Sequence, residues 1–167
     1  NCPVPAVSAS CAAGEAAMRA GRVAAFTVAG GQGTRLGYPG PKGGFAITPI
    51  RNATLFAVFA ENLIGVGRRY GRVPAWYIMT SPLNHAATLE IFEANSYFGL
   101  NRADVRFFPQ GQMPAFLPDG RIAMEQKHRV SLSPDGHGGS LAALANSGSL
   151  ADMRSRGIEV ISYFQVD

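Results

Sequence analysis

Lysine is almost absent from this sequence: of 15 basic residues only Lys42 and Lys127 are lysines, and 13 are arginines. Against that background a lysine inside a glycine-rich stretch, as Lys42 is, draws notice. Cysteine is scarce too. Cys2 and Cys11 both lie near the N-terminus, and two cysteines without a partner set make neither a disulfide framework nor a metal site. No apolar run approaches the roughly 18–20 residues of a membrane helix, and the basic start and apolar stretch of a signal peptide are missing. A cytoplasmic location is the resulting expectation, with no membrane partner. Charged residues make up only 16% of the chain. The net charge of +4 suits a polyphosphate ligand, but the basic residues are scattered and form no dense run beside aromatics, so nucleic acid is not an expected partner.

What the chain does have is apolar material for one core, 47% of 167 residues. Val23 to Ala29 is a short, nearly continuous apolar run, the pattern of a strand buried on both faces of a parallel sheet. Thr54 to Arg69 carries Leu55, Phe56, Phe59, Leu63, Ile64 and Val66 at helical spacing, closed by Gly71. Pro74 to Thr80 reads as a second strand. Ser81 and Pro82 offer an N-cap and first position to a helix running to about Tyr97. Val105 to Phe108 is a third strand, Pro118 to Gly120 the turn of a small hairpin, Ser140 to Arg156 one or two short helices, and Ile158 to Val166 a fourth strand. This alternation predicts right-handed βαβ crossovers and a layered α/β sheet with helices on both faces. Trp76 and the paired phenylalanines are core.

In such a sheet, ligands gather beyond the carboxyl ends of the strands. There the sequence places the Gly30 loop, Thr80 with Ser81, Pro109 with Gln110, and Asp167. The loop reads GGQGTRLGYPGPKGG from Gly30 to Gly44. It lacks the G-x-G-x-x-G spacing and ribose-binding acid of a dinucleotide site, and Lys42 lies between Pro41 and Gly43 rather than in the Gly-Lys-Ser/Thr of a Walker loop. What remains suits a triphosphate. Glycines admit anionic oxygens to backbone N–H groups, and Arg35 and Lys42 supply full charges.

At these residues the sequence resembles the UDP-sugar pyrophosphorylase family, whose pattern is an apolar strand, then G-G-x-G-T-R-L-G, then P-K-G. The resemblance continues through PIRNATLF (Pro49 to Phe56), YIMTSPLNH (Tyr77 to His85), FFPQGQMPA (Phe107 to Ala115), PDGHGGSL (Pro134 to Leu141) and RGIEVISYFQVD (Arg156 to Asp167). Bacterial UDP-N-acetylglucosamine pyrophosphorylases are the members it most resembles. The fold implied is a Rossmann-like nucleotidyltransferase sheet of the GT-A-like kind. Residues 1–22 are expected to form a helical or flexible N-terminal segment, and 23–167 the N-terminal, truncated part of a catalytic domain, since the chain starts at Asn1 and stops just after an apolar strand.

Carried over by position, the resemblance implies uridine and phosphates against Gly30, Gly31, Gly33 and Thr34, with Arg35 and Lys42 as the catalytic charges facing the triphosphate. Gln110 matches the glutamine that reads uracil, its amide able both to donate and to accept. Gly136 and His137 match a contact to nucleotide or sugar phosphate, and Asp167 a carboxylate holding Mg²⁺ (or Mn²⁺). The substrates implied are UTP and a sugar 1-phosphate, first N-acetylglucosamine 1-phosphate. His137 is more like the UDP-glucose branch, whereas Asp135 and Gly139 are more like the N-acetyl branch. In-line attack by the sugar phosphate on the α-phosphorus of UTP needs no general base, because the nucleophile is already an anion. A non-catalytic nucleotide-binding module is the alternative of a different class. Thr80 and Ser81 serve as strand end and helix cap or as ligand contacts; His85 and His128, without partners at ligand spacing, are ordinary imidazoles.

Overall fold

The computed structural model describes residues 5–166, with side chains from residue 9 onward; Cys2 and Asp167 lie outside the described residues. Helix α1 (Pro5–Arg19) leads to β1 (Val23–Val28), and α2 (Leu55–Tyr70), β2 (Ala75–Thr80), α3 (His85–Ala94) and β3 (Val105–Pro109) follow. A small antiparallel excursion holds β4 (Gln112–Pro114), β5 (Met124–Gln126), β6 (Arg129–Val130) and β7 (Leu132–Pro134). Helices α4 (Gly139–Asn146) and α5 (Ser149–Ser155) return the chain to β8 (Val160–Gln165). The main sheet has the order β3-β2-β1-β8 with every neighbouring pair parallel.

Both faces of the central strands are buried, in strict alternation. Ala25, Trp76 and Ile78 face a cluster with Phe56, Ala60, Leu63 and Phe92 of α2 and α3, while Ala24, Phe26, Tyr77 and Met79 face Ala143, Leu144 and Met153 of α4 and α5. Hence β1 and β2 read as nearly continuous apolar runs, and the fold is a sheet covered by helices on both sides. Thr27 is a polar residue in this core; its Oγ1 accepts the Trp76 indole N–H at 2.7 Å, so neither group is buried unpaired.

Two local features depart from the sequence reading. Ser81 and Pro82 do not open α3. They form a turn closed by two reciprocal bonds, the Ser81 N–H donating to Asn84 Oδ1 at 2.8 Å and the Asn84 N–H to Ser81 Oγ at 3.2 Å, but Asn84 itself (φ −115°, ψ 4°) lies outside the helical region, so the helix begins only at His85. Helix α3 stops at Ala94 rather than near Tyr97. Ser96, Tyr97 and Phe98 all take positive φ (49°, 55° and 53°), a left-handed turn costing roughly 1–2 kcal/mol per non-glycine residue. It aims both rings at Phe92, with centroids 6.0 and 5.1 Å away. The segment expected to hold one or two short helices holds two, divided at Gly148, whose φ of 74° no right-handed helix accommodates. The expected hairpin turn is present: Gly120 N–H donates to Leu117 O at 2.9 Å and Leu117 N–H to Arg121 O at 2.8 Å. Helix α1 occupies much of the segment expected to be helical or flexible, and its Cys11 is an exposed free thiol.

Candidate functional site

Since the four main strands are parallel, their carboxyl ends share one edge, and hydrogen bonds extend the ladder past each of them. Ala29 N–H donates to Met79 O at 2.7 Å, Gln110 N–H to Thr80 O at 2.7 Å, and Val166 N–H to Val28 O at 3.1 Å. The glycine loop after β1 and Gln110 after β3 are thereby anchored on that edge. A Cβ on Gly30 would stand 3.0 Å from Gln110 Oε1, so the amide expected to read the base lies directly across the first loop glycine. Lys42 is brought back to the start of the loop. Its N–H donates to Gly31 O at 3.0 Å, and its Cε passes 3.8 Å from where a Gly31 side chain would begin.

The loop closes on itself as a small antiparallel ribbon, with Gln32 bridged to Pro41 and the Gly33 N–H donating to Gly40 O at 2.8 Å. Gly33 is buried and its amide is spent inside the loop, so its N–H does not face outward as the sequence reading expected. Tyr38 explains two of the glycines, since side chains at Gly33 or Gly40 would stand 2.8 Å from its ring, and at Gly44 a side chain would meet Ile91 Cδ1 at 2.7 Å and the Tyr38 hydroxyl at 2.9 Å. Gly43 is fixed by the buried Phe56, whose ring fills the space of any Cβ there. Gly37, with φ of 68°, ends the short turn Gly33–Leu36 that carries Thr34 and Arg35, both exposed. The structure gathers Gly30, Gly31, Lys42 and Gln110 together; it shows no contact of Arg35 with them.

On the other side of β1 lies the second group. Gly136 takes φ of 70° in the turn before α4, and His137 Nδ1 lies 2.6 Å from Tyr163 Oη on β8, with the Tyr163 ring set edge-on against Phe26. Asp135 ties this turn to Gln110: its N–H donates to Gly111 O at 3.3 Å, and its carboxylate lies so close to Gly111 and Gly139 that neither position has room for a side chain. One of its oxygens, Oδ1, is buried without a hydrogen-bond partner. A hollow of about 270 Å³ behind Gln110 is lined by Gly111, Asp135, Ala143 and Asn146.

Thr80 and Ser81 are structural. Thr80 is wholly buried, its Oγ1 2.7 Å from His85 Nδ1 and 3.3 Å from Phe108 O, and Ser81 is held by Asn84. Sequence reading gave no role to Asn84 and Tyr163, which touch the loop and His137, and took Asp135, which is bonded to Gly111, only as a mark of the N-acetyl branch. Only the tertiary fold brings them there; Asn84 alone had a local sign, as a capping residue type before a helix. Among the described residues no three His, Cys, Asp or Glu side chains gather as a metal site, and the aspartate expected to hold a metal, Asp167, is outside them. A larger cleft of about 470 Å³, lined by Arg72, Asp104 and Arg156, lies at the amino ends of the strands, opposite this site.

A parallel α/β sheet with a glycine-rich loop, a lysine and the Gln110 amide at its carboxyl edge has the layout of a nucleotide-binding fold. The chain belongs to the family described as UTP--glucose-1-phosphate uridylyltransferase, which it matches over residues 8–167. It is 39% identical over 158 residues to UDP-N-acetylglucosamine diphosphorylase 2 of Arabidopsis thaliana, covering 88% of this chain and 32% of that protein. With the UDP-N-acetylglucosamine pyrophosphorylase of Saccharomyces cerevisiae the identity is 41% over 152 residues, covering 88% and 32%. The crystal structure of the Trypanosoma brucei UDP-N-acetylglucosamine pyrophosphorylase in complex with an inhibitor superimposes with a TM-score of 0.82 at 33% identity, covering 92% of this chain and 33% of that one. The chain thus spans about a third of the length of these relatives. No helix among the described residues is long and apolar enough to cross a membrane.

Proposed function

We propose that this chain forms the nucleotide-binding part of a uridylyltransferase that joins UTP and a sugar 1-phosphate into a UDP-sugar and pyrophosphate. The observation that carries the reading is the convergence of Gln110 on Gly30 and of Lys42 on Gly31 at one sheet edge. A planar amide across the first glycine suits the donor and acceptor pattern of uracil, and a lysine at the second suits the phosphates that follow the ribose. In the reaction, an oxygen of the sugar phosphate bonds to the α-phosphorus of UTP, and the bond from that phosphorus to the oxygen bridging to the β-phosphate breaks, releasing pyrophosphate. Lys42 and Arg35 neutralise charge on the triphosphate; the loop aligns it.

The sugar is read as N-acetylglucosamine, as in the names of the relatives. His137, steadied by Tyr163, is the proposed contact to the nucleotide or sugar phosphate, with the Gly136 peptide beside it. Asp167 is the proposed carboxylate for Mg²⁺ or Mn²⁺. An ion of this kind binds through one or two carboxylates plus substrate phosphates, a donor set that one aspartate and a triphosphate supply, and when bound it neutralises phosphate charge. The cytoplasm, where nucleoside triphosphates are held, is the proposed location.

Calorimetric titration with UTP and Mg²⁺, with ATP and NAD as controls, tests the reading. UTP-selective binding is expected, and Lys42→Ala is expected to weaken it by about 10- to 100-fold, the equivalent of roughly 1.5–3 kcal/mol for a hydrogen bond to a charged group. Preference for NAD, or equal binding of ATP, would refute it.

A further inference from the structure

The loop glycines are held from beneath by one side chain. Asn84 is 1% exposed, and three hydrogen bonds hold its amide. Its Oδ1 accepts the Ser81 N–H at 2.8 Å, and its Nδ2 donates to Ala29 O at 3.0 Å and to Gly31 O at 3.3 Å. The two carbonyls it grips flank Gly30. A trans peptide is planar, with its C=O and N–H pointing in opposite directions. Turning the Ala29 and Gly31 carbonyls inward to Asn84 therefore turns the Gly30 and Gln32 N–H groups away from it, toward the ligand edge. No backbone acceptor among the described residues takes either proton.

We propose that Asn84 is the positioning residue of the phosphate loop: it sets the two peptide planes so that the Gly30 and Gln32 N–H groups face an anionic phosphate oxygen. The identity of that anion rests on the uridylyltransferase reading; the clamp does not. Gly31 O also accepts the Lys42 N–H, so the same grip fixes the base of Lys42 relative to these two donors. Asn84 touches no substrate and acts only through the loop.

Asn84→Asp is the informative change. It keeps size and the acceptor for Ser81, removes both N–H donors, and sets a carboxylate oxygen against two carbonyls. The chain is followed by amide NMR and calorimetry, with UTP and inorganic triphosphate as separate titrants. In the wild type, either bound ligand is expected to shift the Gly30 and Gln32 amide resonances. In folded Asn84→Asp, exchange of the Lys42 amide is expected to quicken and ligand affinity to fall by at least about tenfold, since two hydrogen bonds are lost. A purely structural role would lower the melting temperature and leave the affinity of the folded protein unchanged, which overturns the proposal. So do wild-type Gly30 and Gln32 resonances that stay in place when ligand binds, a measurement that needs no variant to fold. Binding of triphosphate without preference for UTP sinks the uridine reading, while the affinity of the variant for triphosphate still decides the clamp.

Discussion

Gly43→Ala tests whether Lys42 owes its position to the core beneath it. A methyl group at residue 43 overlaps the outer edge of the Phe56 ring, far inside the roughly 3.5–4.0 Å at which carbon atoms rest. The ring has nowhere to go: Phe56 is fully buried, with its centroid 5.0 Å from Phe92 and 6.3 Å from Trp76. Overpacking of this kind costs typically about 1–3 kcal/mol, which for a chain of this size lowers the melting temperature by roughly 2–12 °C. Alternatively, the short turn Lys42–Gly44 retreats from the core and carries Lys42 away from Gly31. Either route is expected to weaken UTP binding together with stability. Gly65→Ala is the matched control. That glycine lies inside α2 with nothing within 4 Å of a new Cβ, so the same chemical change is expected to stabilise by about 0.5–1 kcal/mol through helix propensity and to leave binding alone. Thermal unfolding and calorimetry on the two variants decide it. Equal melting temperature and equal UTP affinity for Gly43→Ala and wild type would refute the packing argument.

Burial, reinforced by the hydrogen bond from its hydroxyl to Asp152 Oδ2 at 2.6 Å, raises the Tyr77 phenol above its ordinary value near 10. Its contribution to stability is therefore complete below about pH 10 and is lost as the pH climbs from there through the higher folded value; alkaline absorbance titration should show one tyrosine that ionises only with unfolding, and Tyr77→Phe should abolish that step. Tyr163→Phe removes the partner of His137 Nδ1, and loss of one such hydrogen bond, about 0.5–1.5 kcal/mol, is expected to weaken sugar-phosphate binding several-fold with little change in melting temperature, measured by titration and thermal scan.

The strand runs, the amphipathic α2 and the glycine-rich loop after β1 were legible from residue order alone, because burial on two faces and a 3.6-residue period leave their mark in the local sequence. So was the common edge, since strand direction follows from crossover connections. The start of α3 was not. Ser81 and Pro82 have the right types for a helix start and do open a turn, but Asn84, whose amide reaches the Ala29 and Gly31 carbonyls, leaves the helical region and delays the helix to His85. The left-handed turn at Ser96–Phe98 was equally invisible, since no local preference predicts it and only the aromatic cluster around Phe92 compensates its strain.

The sequence by itself determined that a glycine-rich loop carrying Arg35 and Lys42 follows a buried strand, and by family pattern it marked Gln110, Gly136 and His137. What each glycine is for was decided only in three dimensions. Gly33 and Gly40 make room for Tyr38, Gly44 for Ile91 and Tyr38, Gly43 yields to Phe56, Gly111 and Gly139 to Asp135, and Gly30 alone lies under Gln110. A missing side chain reads the same in any sequence; the atom that occupies its space comes from elsewhere in the chain, and packing decides which.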